Sequence, residues 1–232
     1  MNYGPVETIL MGAHGVVGAG IVLAGILAFA SRKGSPFHRQ CGRIFVLLLA
    51  LMALVIAASA TVPATHLIST LGMIFTALTC YLVLTSWATV ATPAASLGKF
   101  ARLAPVAALS IASAALFLGW QAQTGQVVVD DDIPVAAYFG FAGFAFLAAC
   151  ADISFVVRGG ISGAQRLFRH LWRMCFALYF SVATIFTGPG SILFPENIRG
   201  TWPLMLPENI ILLVSLYFVI QIFRKRTAVQ TV

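Results

Sequence analysis

The sequence predicts an all-α, polytopic membrane bundle of seven transmembrane helices, N-terminus outside and C-terminus cytoplasmic. Three observations predict it: the apolar composition, seven apolar runs of spanning length, and basic residues confined to alternate links. Of 232 residues 60% are hydrophobic and only 9% charged, and the mean hydropathy is +0.96. A soluble domain carries about 25% charged residues. Too few polar side chains exist here to cover a water-facing surface, which excludes a soluble enzyme, and the same composition excludes intrinsic disorder. One integral-membrane domain over 1–232 is expected at this length.

A helix needs about 20 apolar residues to cross a hydrocarbon core about 30 Å thick. The runs at 6–30, 44–62, 67–91, 103–121, 133–157, 174–190 and 209–223 meet or approach that length. They lack the alternation of barrel strands. The first is read as an uncleaved helix. Ala28-Phe29-Ala30 imitates a signal-peptidase site, but Met1-Asn2-Tyr3-Gly4-Pro5 and Glu7 do not make the basic start of a signal peptide. Ser35-Pro36 opens the second helix, with proline at the first helical position and His38 in the first turn. Thr61-Val62-Pro63 opens the third and places His66 one turn in. Asp130-Asp131-Asp132 with Pro134 caps the fifth, and Ser162 begins a long sixth helix through Arg166 and His170. The segment Gly188–Asn209 holds Pro189, Pro195, Pro203, Pro207 and Trp202, a composition for an irregular flap on the membrane surface. The first and fifth runs each lead into a basic, Gly-containing link with a histidine, too little to establish duplication.

Charge sets the direction. Arg32, Lys33, Arg39 and Arg43 follow the first run, Lys99 and Arg102 the third, and Arg158, Arg166, Arg169 and Arg173 the fifth. Arg224, Lys225 and Arg226 follow the seventh, so 13 of the 14 basic residues share a side and only Arg199 lies opposite. Glu7, Asp130, Asp131, Asp132, Glu196 and Glu208 gather on that opposite side. Basic links stay cytoplasmic. The net charge of +7 is therefore explained by topology and anionic lipid, with no nucleic-acid partner. Cys41, Cys80, Cys150 and Cys175 form no C-x-x-C and avoid the outer links, so no disulfide is expected.

The four histidines fall near the two membrane faces, on four different helices. His14 and His66 lie toward the outside, His38 and His170 toward the cytoplasm. A b-type haem in a helical bundle takes two imidazoles from different helices at matching depth, with small residues beside them. Gly12, Gly15 and Gly18 flank His14, though they equally suit close helix packing. The outer pair has an axial offset of roughly 8–10 Å on helical geometry; the inner pair matches better in depth. Haem ligation stands beside the plainer reading of hydrogen-bonded, interfacial histidines.

Arg166, Arg169, His170 and Arg173 form a stripe at i, i+3, i+4 and i+7, opposite Leu167, Phe168, Leu171 and Trp172. It reads either as a phosphate or lipid-headgroup site or as a snorkelling, positive-inside helix end. Asp152 is the one acid deep inside a run, six residues before Arg158. Pairing with Arg158 or a neighbouring basic loop, and proton or ion handling, are the two readings of an intramembrane carboxyl. No lysine in 209–223 could carry retinal. H-E-x-x-H, G-x-S-x-G and P-loop motifs are lacking, which leaves catalysis unassigned and excludes ATP-driven transport by this chain alone.

The string Lys33-Gly34-Ser35-Pro36-Phe37-His38-Arg39-Gln40-Cys41-Gly42-Arg43 resembles the K-G-x-x-x-H-R-x-x-G-R hairpin of an uncharacterised group of bacterial multi-pass membrane proteins, a domain of unknown function. The Gly-flanked His14, His66 at the third helix, and His170 with Trp172, Arg173 and Met174 are similar to features of that group. The last departs from its usual H-x-x-W-M order. The resemblance implies the fold and a bacterial inner-membrane location, and no activity. The leading expectation is transmembrane electron transfer through one or two b-type haems, with a redox partner. The alternative is a cofactor-free transporter of a small molecule or ion, or a lipid-binding protein, built on Asp152 and the basic stripe. A structural or assembly subunit is the third.

Overall fold

Why the chain makes helices and nothing else follows from a solvent that cannot bond to the backbone. In hydrocarbon every N–H and C=O must find a partner within the protein, which a helix supplies within its own segment. The computed structural model describes residues 4–61, 69–126 and 134–230. It contains α1 (Pro5–Ala30), α2 (Pro36–Ala60), α3 (Thr70–Ala91), α4 (Lys99–Gln123), α5 (Ala136–Val157), α6 (Gly163–Phe186) and α7 (Trp202–Gln230). Two 3-10 turns, Pro189–Leu193 and Glu196–Ile198, link the last two helices. No strand occurs among the described residues. Six of the helices, all but α6, are long and apolar enough to cross a membrane. The fold is thus an all-helical, multi-pass membrane architecture.

Several helix starts differ from the sequence reading, each for a local reason. Ser35 does cap α2: its Oγ accepts from the His38 amide at 3.1 Å, and Gly34 makes the preceding turn at φ +79°, a conformation that favours glycine. The third helix starts later than Pro63. Its cap is Ser69, whose Oγ accepts from the Gly72 amide at 3.0 Å. His66 and Pro63 lie outside the described residues, as does the acidic run Asp130–Asp132. Ser162 precedes α6 as expected, but its side chain makes no capping bond. The irregular segment before the last helix is shorter than its prolines suggest. The final helix already begins at Trp202, because Pro203 falls in the first turn, where an amide has no helical acceptor to lose.

The chain divides into two compact units, Met1–Val17 with Leu49–Tyr81 and Ala95–Gly160, and Gly18–Leu48 with Leu82–Ala94 and Ile161–Val232. α1, α2 and α3 each contribute a part to both units.

In the first unit α4 packs on α5. The buried face of α4 is Ala104, Ala108, Ala112, Ala115 and Gly119, small residues three or four apart that let two backbones approach without a hydrophobic driving force. A Cβ at Gly119 would stand 2.8 Å from the Tyr138 Cβ. Ile74, Ala115, Tyr138 and Ala142 form a buried cluster there, and Phe75 meets Phe141 edge-on at 5.9 Å between ring centroids. The links after α3 and α5 touch: a Cβ on Gly160 would lie 2.8 Å from the Ser96 amide nitrogen. In the second unit α6 packs on α7. A Cβ on Gly25 would stand 2.5 Å from Leu178 Cδ1 and 3.0 Å from Phe45.

Candidate functional site

α6 is inside out by the standard of a soluble helix. Arg169 is 5% exposed and Arg173 wholly buried, while Leu167 is 55% exposed. A helix in water turns such a stripe outward; here the surrounding solvent is hydrocarbon, so the polar face turns toward protein. The face it meets is the second half of α3, where Thr85, Ser86 and Thr89 share one side.

The donors and acceptors fit residue by residue. Thr89 Oγ1 donates to the Thr85 carbonyl at 2.7 Å, which leaves its lone pairs to accept from Arg169 Nε at 3.0 Å. Thr85 Oγ1 donates back to the Leu82 carbonyl at 3.2 Å and accepts from Arg173 Nη1. Arg166 donates from Nε to the Thr89 carbonyl at 2.9 Å, and from Nη2 to Val90 at 3.0 Å and Thr92 at 2.7 Å. The last carbonyls of a helix have no N–H donors within it, and a cation there is also attracted by the negative end of the helix dipole. In this structure Arg166, Arg169 and Arg173 all donate to α3. The stripe is a side-chain cap and lock on α3.

Two of the four histidines come together in the same unit. His38 Nδ1 lies 2.9 Å from the Ala28 carbonyl and 3.5 Å from Ser31 Oγ. His170 Nδ1 lies 2.9 Å from Ser86 Oγ and 3.4 Å from the Ser86 carbonyl. The His38 and His170 imidazoles are close enough for their charges to act on each other, and the Arg166 charge also reaches His170. Neither Nε2 atom has a hydrogen-bond partner among the described residues. His14 is half-buried on α1. Gly12 and Gly15 beside it have open space where a Cβ would stand. Its expected outer counterpart, His66, is outside the described residues. No group of three or more His, Cys, Asp or Glu gathers among the described residues to hold a metal ion.

Asp152 is completely buried. Tyr81 bonds to it, its phenol donating to Oδ2 at 2.5 Å. Arg158, the expected partner, is exposed at the C-terminal end of α5. A second buried acid, Glu208, accepts from Thr187 Oγ1 at 2.8 Å. Lys33, in the α1–α2 link, donates to the Phe29 carbonyl. Its ammonium stands 5.1 Å from the Phe29 ring centroid and 4.5 Å from that of Phe218. The stem of Lys33 is exposed, but the water lost around its charge lowers its pKa from the ordinary lysine value. All four cysteines are free thiols.

Sequence reasoning missed Tyr81, Thr85, Ser86 and Thr89. The signal was present: three hydroxyls at 85, 86 and 89 inside one apolar run mark a polar face that must find partners.

Fold and site define the class: a multi-pass helical membrane protein with a polar seam between α3 and α6. Comparison with protein-family models, with curated proteins and with solved structures found no significant match.

Proposed function

We propose that the protein binds a b-type haem through His38 and His170 and passes electrons at the cytoplasmic face of a bacterial inner membrane. One observation carries this reading. Two imidazoles from different helices lie in one compact unit, and each Nδ1 lies 2.9 Å from a protein oxygen, the Ala28 carbonyl for His38 and Ser86 Oγ for His170, while Nε2 meets no hydrogen-bond partner among the described residues. Ligating histidines are held in that way, the second nitrogen fixing the ring and raising the basicity of the first. The residues thus fit the group. His38 and His170 would hold it, and a bound haem would supply one-electron redox chemistry. His14 with His66 would hold a second haem on the outer side. In this reading seven helices span, with the N-terminus outside, and the α1–α2 link belongs to the K-G-x-x-x-H-R-x-x-G-R group. The electron partner is a redox protein or a small membrane carrier.

The test is a reduced-minus-oxidised absorption spectrum of protein purified in detergent from haem-replete cells. Six-coordinate b-type bands near one haem per chain are expected, lost in His38→Ala and His170→Ala. A flat spectrum from folded protein would overturn the proposal. A cofactor-free transporter is the second reading, and the buried Tyr81–Asp152 hydrogen bond favours it, since intramembrane carboxyls serve proton and ion pathways.

A further inference from the structure

We propose that Ser86 is a positioning residue that sets the tautomer of His170, protonating Nδ1 and leaving Nε2 bare. The site is thereby restricted to ligands that take an imidazole lone pair, as an electron-poor metal centre does, rather than ligands that accept a hydrogen bond. The inference deepens the haem reading and rests on it for the identity of the ligand, but the tautomer itself does not.

The argument is an accounting of hydrogens. A serine hydroxyl has one hydrogen to give. Ser86 Oγ lies 2.9 Å from the His170 backbone carbonyl, which can only accept, so that hydrogen is committed. The same Oγ is 2.9 Å from His170 Nδ1 and has only lone pairs left, so Nδ1 must be the donor. The Ser86 carbonyl, 3.4 Å from Nδ1, is also an acceptor and demands the same answer. A neutral imidazole carries one N–H; with it on Nδ1, Nε2 is a lone pair. Ser86 is completely buried, so no bulk water competes for its hydroxyl.

His38 reaches the same state by another device. Ser31 Oγ donates to the Ala28 carbonyl at 2.9 Å, and that carbonyl, an obligate acceptor, is also 2.9 Å from His38 Nδ1. A backbone carbonyl cannot be removed by a side-chain change. Ser86 can, which makes it the testable lever on the pair.

The experiment is solid-state nitrogen NMR of histidine-labelled, cofactor-free protein in lipid, at a pH where the imidazoles are neutral. The His170 signals are assigned by their loss in His170→Gln. In the wild-type protein the Nδ1–H form should dominate. Ser86→Ala should shift His170 toward the Nε2–H form by roughly three- to tenfold, the worth of one hydrogen bond. Ser86→Thr, which keeps the hydroxyl, should restore the Nδ1–H form. A wild-type His170 that is mainly Nε2–H overturns the proposal without any variant. So does a Ser86→Ala ratio equal to wild type. The haem reading fails separately, on a flat absorption spectrum, and that result leaves the tautomer measurement standing.

Discussion

Arg166→Ala tests whether the stripe on α6 is a cap on α3. The guanidinium makes three hydrogen bonds to the carbonyls of Thr89, Val90 and Thr92, at 2.9, 3.0 and 2.7 Å. A hydrogen bond to a charged group contributes about 1.5–3 kcal/mol. Three do not add, because one side chain makes them all, and the half-exposed carbonyls regain water once it is gone. The expected local loss is about 2–3 kcal/mol, a factor of roughly 30–150 in an opening equilibrium. Amide hydrogen exchange reads this locally. A peptide covering residues 82–92 should exchange faster by that factor in Arg166→Ala, while peptides from α4 and α5 stay unchanged. Arg166→Lys should recover less than half the effect in free energy, since a point ammonium cannot span three carbonyls as a planar fork does. If the 82–92 peptide exchanges at the wild-type rate in Arg166→Ala, the capping argument is wrong, and the stripe is again free to be an anion site.

Two further outcomes are expected in the other unit. Gly160→Ala should destabilise by about 2–3 kcal/mol, combining a positive φ of +118° with a Cβ 2.8 Å from the Ser96 nitrogen, where the conformation alone costs about 1–2 kcal/mol. Gly159→Ala, at φ +68° with open space around it, should lose only the conformational part; equal losses in thermal unfolding would refute the steric claim. Tyr81→Phe removes one hydrogen-bond donor from a fully buried carboxyl and should lower the melting temperature in detergent by roughly 4–8 °C, about 2 kcal/mol for a chain of this size. Asp152→Asn retains an acceptor for the phenol and should lose less. A Tyr81→Phe protein melting with the wild type would show that the bond contributes nothing.

What could be read in advance divides along a physical line. Composition and run length determine whether a segment is a membrane helix, because that depends on the segment and its solvent alone. α1, α4 and α7 accordingly contain their expected runs. Where a helix starts depends on a few local bonds, which run length does not show. Ser69 caps α3 from one residue before it, while Trp202 and Pro203 extend α7 into what looked like a flap. The tertiary partners were least legible. Arg158 is six residues from Asp152, and proximity in sequence suggested a pair, yet Tyr81 donates from 71 residues away. No periodicity encodes which of several polar faces will meet.

The basic stripe shows why a membrane chain misleads a reader trained on soluble ones. In water, four polar residues at i, i+3, i+4 and i+7 announce a surface, and a ligand is the natural explanation for excess charge on it. In hydrocarbon the same spacing announces an interior. Each arginine must be met by an acceptor, since an unmatched buried charge is far more expensive than a buried hydroxyl, and α3 provides threonine lone pairs and its last carbonyls for the purpose. The α3 hydroxyls thus serve two ends. Thr85 and Thr89 receive guanidinium donors, whereas Ser86 faces the imidazole in the stripe. At that position α6 presents a group with one nitrogen tied to the seam and the other without a partner among the described residues. A seam that satisfied only structural needs would be served as well by asparagine at position 170, which could bond Ser86 equally. His170→Asn separates the two roles: an unaltered hydrogen-exchange pattern at 82–92 together with loss of the haem spectrum would assign the imidazole to chemistry. Faster exchange at 82–92 in folded protein that shows no haem bands before or after the substitution would assign it to structure.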